Sequence, residues 1–237
     1  MDIKIRQAQS EVLKVFAKKP QGFALAGGTA LELYYLHHRF SVDLDFFSPK
    51  YDIKGIERLV AEFKKSISNK IELISEFSTS DDKARVRFYS IPVKGSSRPL
   101  KIDFVEDVVF DKPSIKRFKG VPIYSAENIY LQKIYAVVGS SEAQDDMGRQ
   151  VLGGRGQARD IFDIYMLSKK VLPLANFMEK LPLRLQRGMV CWYRSFSRQE
   201  LKLALLDLDI YDKNFNAREM IIYLEGQVNK FMDKAIE

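Results

Sequence analysis

Residues 25–48 read LAGGTALELYYLHHRFSVDLDFFS. A short apolar approach, Phe23 to Ala26, leads into Gly27 and Gly28, and Thr29 to His38 has the spacing of a helix. From Ser41 to Phe47 the period changes to two, with Val42, Leu44 and Phe46 on one side and Ser41, Asp43 and Asp45 on the other. That is a strand pattern, and it sets two carboxylates on one face roughly 7 Å apart. Like charges that close on a half-buried face repel and are costly to desolvate. A divalent cation between them removes the cost, and Mg²⁺ typically takes one or two carboxylates together with substrate phosphates. A D-x-D standing alone is more often a solvated strand edge than a metal site, so its surroundings have to decide.

Three features surround it. Gly27-Gly28-Thr29 opens a helix, where a backbone without Cβ atoms approaches a phosphate closely and free N–H groups favour an anion. It is neither G-x-G-x-x-G nor a Walker loop, so dinucleotide binding is not implied, and a plain tight turn would also use it. Asp103, in PLKIDFVE, repeats the apolar-Asp-apolar setting on another strand. It could complete a two-metal site or take the proton of an attacking hydroxyl. Further on stand Lys133 and RDIFDIY, whose Asp160 and Asp163 are i, i+3 neighbours on a helix face. Asp163 also suits a cap or a salt bridge.

The rest of the chain frames these residues. Helical spacing covers 3–18 and 52–66, and strand patterns cover 71–77, 84–93 and 99–106. Helices mixed with strands suggest an α/β or α+β layer with a mixed sheet, and α+β is the class expected. After Pro122 the character changes. Ser125 can cap a helix through Val138, with Glu127 in its first turn. Residues 139–157 read as a long polar loop, and helical patterns follow at 158–169, 173–180, 183–195, 198–208 and 215–235. The expected organisation is an α/β domain over 1–122 and a helical domain over 123–237.

The chain has 237 residues, 46% hydrophobic and 29% charged, an ordinary globular composition. No apolar run is long enough for a membrane span, and the amphipathic N-terminus lacks a signal peptide's apolar core. Cys191 is the only cysteine, which excludes a disulfide framework and a thiolate metal site and suits a cytoplasmic location. The net charge is +7; residues 1–122 hold 22 Lys+Arg against 16 Asp+Glu, and residues 123–237 hold 16 against 15. A moderately basic surface suits a polyanionic partner as well as it suits solubility alone. His37 and His38 have no third His or Cys to complete a zinc site and read as helix C-terminal residues.

Taken together, G-G-T-A-L, then H-R-x-S-x-D-L-D-F-F, K-I-D-F, E-N-I-Y-L-Q-K-I-Y-A and R-D-I-F-D-I-Y resemble the AbiEii/AbiGii toxin family of nucleotidyltransferases. That family is similar to the MenA toxins and belongs to the DNA polymerase β-like nucleotidyltransferase superfamily. The pieces fall in the family's order over residues 25 to 167. The resemblance implies a nucleotidyltransferase-type mixed sheet flanked by helices, followed by a helical-bundle C-terminal domain. It implies Mg²⁺ held by Asp43, Asp45 and Asp103, an NTP whose triphosphate meets Gly27, Gly28, Thr29 and Ser41, Lys133 neutralising the triphosphate, and Asp160 organising Lys133 or the nucleotide. Arg39 suits a phosphate contact or a salt bridge to a carboxylate. The Gly-Gly to Asp spacing is one residue longer than usual, and the loop between Lys133 and Asp160 is longer too.

The implied reaction is Mg²⁺-dependent transfer of NMP to an acceptor hydroxyl. The implied acceptor is the tRNA 3′ end, and the implied setting a toxin with a cognate antitoxin. A protein or small-molecule hydroxyl would use the same site, and an inactive nucleic-acid-binding module would keep the fold while losing a carboxylate. Two basic clusters could meet RNA: Lys112, Lys116, Arg117 and Lys119, and Arg184, Arg187, Arg194 and Arg198 beside Trp192 and Tyr193. The second needs one continuous helix over 184–198; otherwise it is a solvated face over a core tryptophan.

Overall fold

In the computed structural model, which describes residues 1–67, 71–77, 84–139, 143–144, 150–151 and 153–236, the strand pattern around Asp45 is kept. Strand β2, Leu44–Ser48, buries Leu44 and Phe46 completely and leaves Asp45 and Phe47 partly exposed. It starts three residues later than the period suggests. The Gln9 side-chain amide donates to the carbonyls of Ser41 and Val42, and the Thr29 hydroxyl donates to that of Asp43. Carbonyls satisfied by side chains have no need of a neighbouring strand.

The chain divides into two compact units, Met1–Tyr35 with Ser41–Asn128, and Leu36–Phe40 with Ile129–Glu237. The change of unit thus comes after Asn128 rather than near 122, and five residues from the first half join the second unit.

The first unit is built on a seven-stranded mixed sheet. Its strands are β1 (Ala24–Ala26), β2, β3 (Glu72–Phe77), β4 (Val86–Ile91), β5 (Leu100–Glu106), β6 (Ile115–Phe118) and β7 (Val121–Tyr124). Their order is β3-β4-β5-β2-β1-β7-β6. β2 runs parallel to β5 and β1 parallel to β7, while the other neighbours are antiparallel. β1, β6 and β7 have no signal in the sequence: three or four residues cannot display a period, and β1 and β7 are buried at every position. Helices α1 (Ile3–Phe16) and α3 (Ile53–Ile67) carry apolar faces to one side of the sheet. There the Phe46 ring lies 4.2 Å from Phe16, 5.4 Å from Phe104 and 6.5 Å from Phe63, centre to centre.

Helix α2, Gly27–Ala30, begins at the glycines and passes into a π-helical stretch, Leu31–Leu36. The helix therefore ends before His37, which turns with φ +47°. Single π turns inside helices are frequent at functional sites.

The second unit is helical. It contains most of α4 (Ala126–Val138), a two-residue strand pair β8 (Ala143–Gln144) and β9 (Gln150–Val151), then α5 (Ala158–Lys170), α6 (Leu174–Met178), α7 (Leu183–Ser195), α8 (Arg198–Leu205) and α9 (Ala217–Ile236). Ser125 caps α4 by accepting the Asn128 N–H, as its position in the sequence suggests. Of the expected 139–157 loop, residues 140–142, 145–149 and 152 lie outside the described residues. The core includes a parallel stack of Tyr130 on Phe177 at 4.0 Å. Residues 36–40 join this unit through backbone bonds: Phe40 N–H donates to Asp209 and Tyr211 N–H to His38, flanking an Arg39–Ile210 bridge.

Candidate active site

In the first unit the register of β2 places Asp45 directly beside Asp103 of β5 and opposite Ala26 of β1. Neighbouring strands lie about 4.8 Å apart, so the two carboxylates share one patch of the sheet. Alternation turns both away from the Phe46 and Phe104 side. Beside them the chain turns into α2 at Gly27 with φ +68°, and a Cβ there would fall 2.1 Å from Asp45 Oδ2. Only glycine lets the carboxylate and the helix start approach this closely.

Asp43 stands just before the strand, partly exposed, on a segment held from three directions. Gln9 binds the carbonyls of Ser41 and Val42, Thr29 binds that of Asp43, and the Ser41 N–H donates to Glu32 Oε2 at 2.9 Å. Glu32 is itself buried and paired with Arg6. The segment that presents Asp43 is thus braced by α1, α2 and the π-helical stretch. Among the described residues no group of three or more His, Cys, Asp or Glu is placed to hold a metal by itself. Asp43, Asp45 and Asp103 are therefore not gathered into a closed triad. An open set of hard oxygen donors fits Mg²⁺, which keeps positions for phosphate oxygens and water.

The second unit gathers the other expected residues into a buried ion network. Asp160 and Asp163 are both fully buried on one face of α5. The Lys133 ammonium, from α4, lies 2.7 Å from each of them. Asp163 also accepts from Arg39 Nε and Nη2 at 2.8 Å and contacts His38 Nε2 at 2.7 Å. Arg155 donates to both oxygens of Asp160. Burial alone would raise both carboxyl pKa values; Lys133 with Arg155 nonetheless holds Asp160 below the usual carboxylate range, and Lys133 with Arg39 and His38 holds Asp163 well below it. Burial likewise works against the Lys133 cation, but the two aspartates outweigh it and raise its pKa. Of the two readings of Arg39, the structure contains the salt bridge, two-pronged and buried.

One expectation is corrected and one alternative decided. His38 is not a helix C-terminal residue: the helix stops at Leu36, and the imidazole is buried against Asp163, stacked near Phe162 at 5.6 Å. The 184–198 arginines do not share one helix, because Phe196 is extended and Ser197 caps a new one. Trp192 and Tyr193 are buried, with Trp192 stacked on Phe196 at 4.6 Å, so they offer no open stacking platform. Arg184 donates to the Gly139 carbonyl, and Arg198 lies over the Tyr193 ring. Sequence reading also misses Gln9, Glu32 and Arg155, polar residues whose partners stand far along the chain or carry no motif.

The fold has relatives among solved structures. One from H. pylori, which carries a nucleotidyltransferase assignment, is 20% identical with a TM-score of 0.60, over 99% of this chain and 97% of that one. Another, JHP933 from Helicobacter pylori, is 21% identical with a TM-score of 0.57, over 98% and 94%. At that identity the likeness is one of fold. No curated protein matches the sequence. Residues 12–233 match the family described as nucleotidyl transferase AbiEii toxin, type IV TA system. The chain belongs to that family and is a nucleotidyltransferase, which implies a nucleotide substrate and an antitoxin partner.

Proposed function

We propose that the protein transfers NMP from an NTP to an acceptor hydroxyl in a Mg²⁺-dependent reaction, and that the acceptor is the 3′ end of tRNA in the cytoplasm. The observation that carries the chemistry is Asp45, packed against Gly27 and paired in register with Asp103 on the next strand. Asp43 and Asp45 would hold the ion, as hard oxygen donors suited to it. When bound, Mg²⁺ supplies charge neutralisation at the α-phosphate and at the leaving pyrophosphate. The backbone at Gly27 and Gly28, with Thr29 and Ser41, lines the triphosphate at the N-terminal end of α2. Asp103 completes the carboxylate set and accepts the proton of the acceptor hydroxyl. The acceptor oxygen then bonds to the α-phosphorus as the bond to pyrophosphate breaks. Within the second unit, Asp160 holds the Lys133 ammonium in place.

Purified protein is incubated with Mg²⁺, each radiolabelled NTP in turn and total tRNA, then run on a denaturing gel. A labelled band at tRNA size that is lost in Asp45→Asn is the expected result and names the nucleotide. Label on the protein itself would move the acceptor to a protein hydroxyl. Transfer undiminished in Asp45→Asn would sink the metal-site reading.

A further inference from the structure

Positive charge in the first unit is concentrated in two stretches. Residues 1–19 and 111–120 hold nine Lys and Arg against three Asp and Glu, while the remainder of the unit holds twelve against fourteen. The stretches are far apart in sequence and adjacent in the fold. Helix α1 and the β6–β7 hairpin border a groove of about 500 Å³ that also takes in Tyr34. Lys14 and Lys119 line it and are exposed, and Arg6 lines it while paired to Glu32. The Phe118 and Tyr34 rings, 5.5 Å apart, lie in the same lining and are only partly covered. Lys116, exposed on edge strand β6, shares the face of Phe118 by alternation.

Lysines on an edge strand also discourage pairing with other sheets. That role accounts for β6 but not for Lys14 across the groove or for the half-open aromatic pair. Cations spaced along a groove with ring faces between them suit a polymer of phosphates and bases. The groove also abuts the carboxylate segment. Gln9 lines it, and the Gln9 amide donates at 2.8 Å to the carbonyls of Ser41 and Val42, the two residues before Asp43.

We infer that the groove between α1 and the β6–β7 hairpin docks the sugar-phosphate backbone of an RNA, gripping it away from the reacting end. Lys14, Lys116 and Lys119 take phosphates, and Phe118 with Tyr34 offers a surface to an unpaired base. The inference rests on the reading of the acceptor as RNA, and it adds the surface that would select one.

The test is filter binding of labelled total tRNA without NTP, across a salt series. The variant is Lys14→Glu with Lys116→Glu and Lys119→Glu. A second triple, Lys54→Glu, Lys64→Glu and Lys65→Glu on the exposed side of α3, changes net charge equally. The expected result is binding weaker by about tenfold or more in the groove variant than in the α3 variant, with the slope of log K against log salt reduced by about two to three. NTP binding by calorimetry stays at the parent value in both. Equal loss in the two triples overturns the inference, as does a parent protein that does not retain tRNA. A parent that binds tRNA through the groove but transfers no label to it keeps the docking surface and removes RNA as the acceptor. If the groove triple unfolds by circular dichroism, Lys14→Glu with Lys116→Glu carries the same comparison against Lys54→Glu with Lys64→Glu.

Discussion

Gly27 lies so close to Asp45 that no side chain fits between them. A methyl group at Gly27 would meet Asp45 Oδ2 at 2.1 Å, on a backbone with φ +68°. Gly27→Ala is expected to push the carboxylate out of place and strain the turn. Transfer of label should fall by a hundredfold or more, on the order of 3 kcal/mol or greater in barrier, in the gel assay. Asp45→Asn keeps the size of the side chain while removing its charge and one acceptor oxygen; its circular dichroism spectrum should match the parent while transfer drops by about a thousandfold or more. Asp163 has a different character, since it is surrounded by Lys133, Arg39 and His38. Asp163→Ala removes the two-pronged partner of Arg39 and one of the two carboxylates on Lys133, and urea unfolding should report a loss of about 3–5 kcal/mol in the second unit.

Helices α4 and α7 of the second unit approach closely at one point. A Cβ at Gly188 of α7 would lie 2.2 Å from Val138 Cγ1 at the end of α4. Gly188→Ala should lower the thermal midpoint, although alanine is the better helix former. Adding Val138→Ala should recover part of the loss, and additive losses in the double variant would show that the two residues do not meet. The sequence shows separate helical patterns at 183–195 and 198–208 and leaves open whether one helix runs through both. The structure separates them at Phe196, and the Ser197 side chain accepts the Glu200 N–H to start α8. Three arginines on α7 and one at the start of α8 therefore do not form the stripe that their spacing suggests.

Across the chain, the response to pH follows from where ionisable groups are buried. Asp160 and Asp163 have folded pKa values below their unfolded values, so their contribution is full above about pH 4 and is lost as the pH falls toward the folded values. Lys133 has a folded pKa above its unfolded value; its contribution is full below about pH 10 and is lost only as the pH rises through the folded value. Asp160, Asp163 and Lys133 thus make their full contributions between roughly pH 5 and 9. The difference in urea midpoint between the parent and Asp163→Asn should be constant over that range and should narrow below pH 4. A difference that changes between pH 6 and 8 would mean that another group in the network titrates there. No helix among the described residues is long and apolar enough to cross a membrane.

Local spacing and residue chemistry alone determined a good deal. The alternation around Asp45, the second aspartate-bearing strand, the Ser125 cap and the i, i+3 aspartates all depend on neighbours within a few residues, where sequence distance and spatial distance agree. Tertiary structure decided what depends on contacts between distant segments. It set Asp45 beside Asp103 by strand register, shortened β2 through bonds from Gln9 and Thr29, and drew Arg39 and His38 onto Asp163, more than a hundred residues along the chain. It also made strands of β1, β6 and β7, which are too short to carry a period. Burial and hydrogen-bond pairing are properties of the folded neighbourhood, and no spacing rule within one segment encodes them.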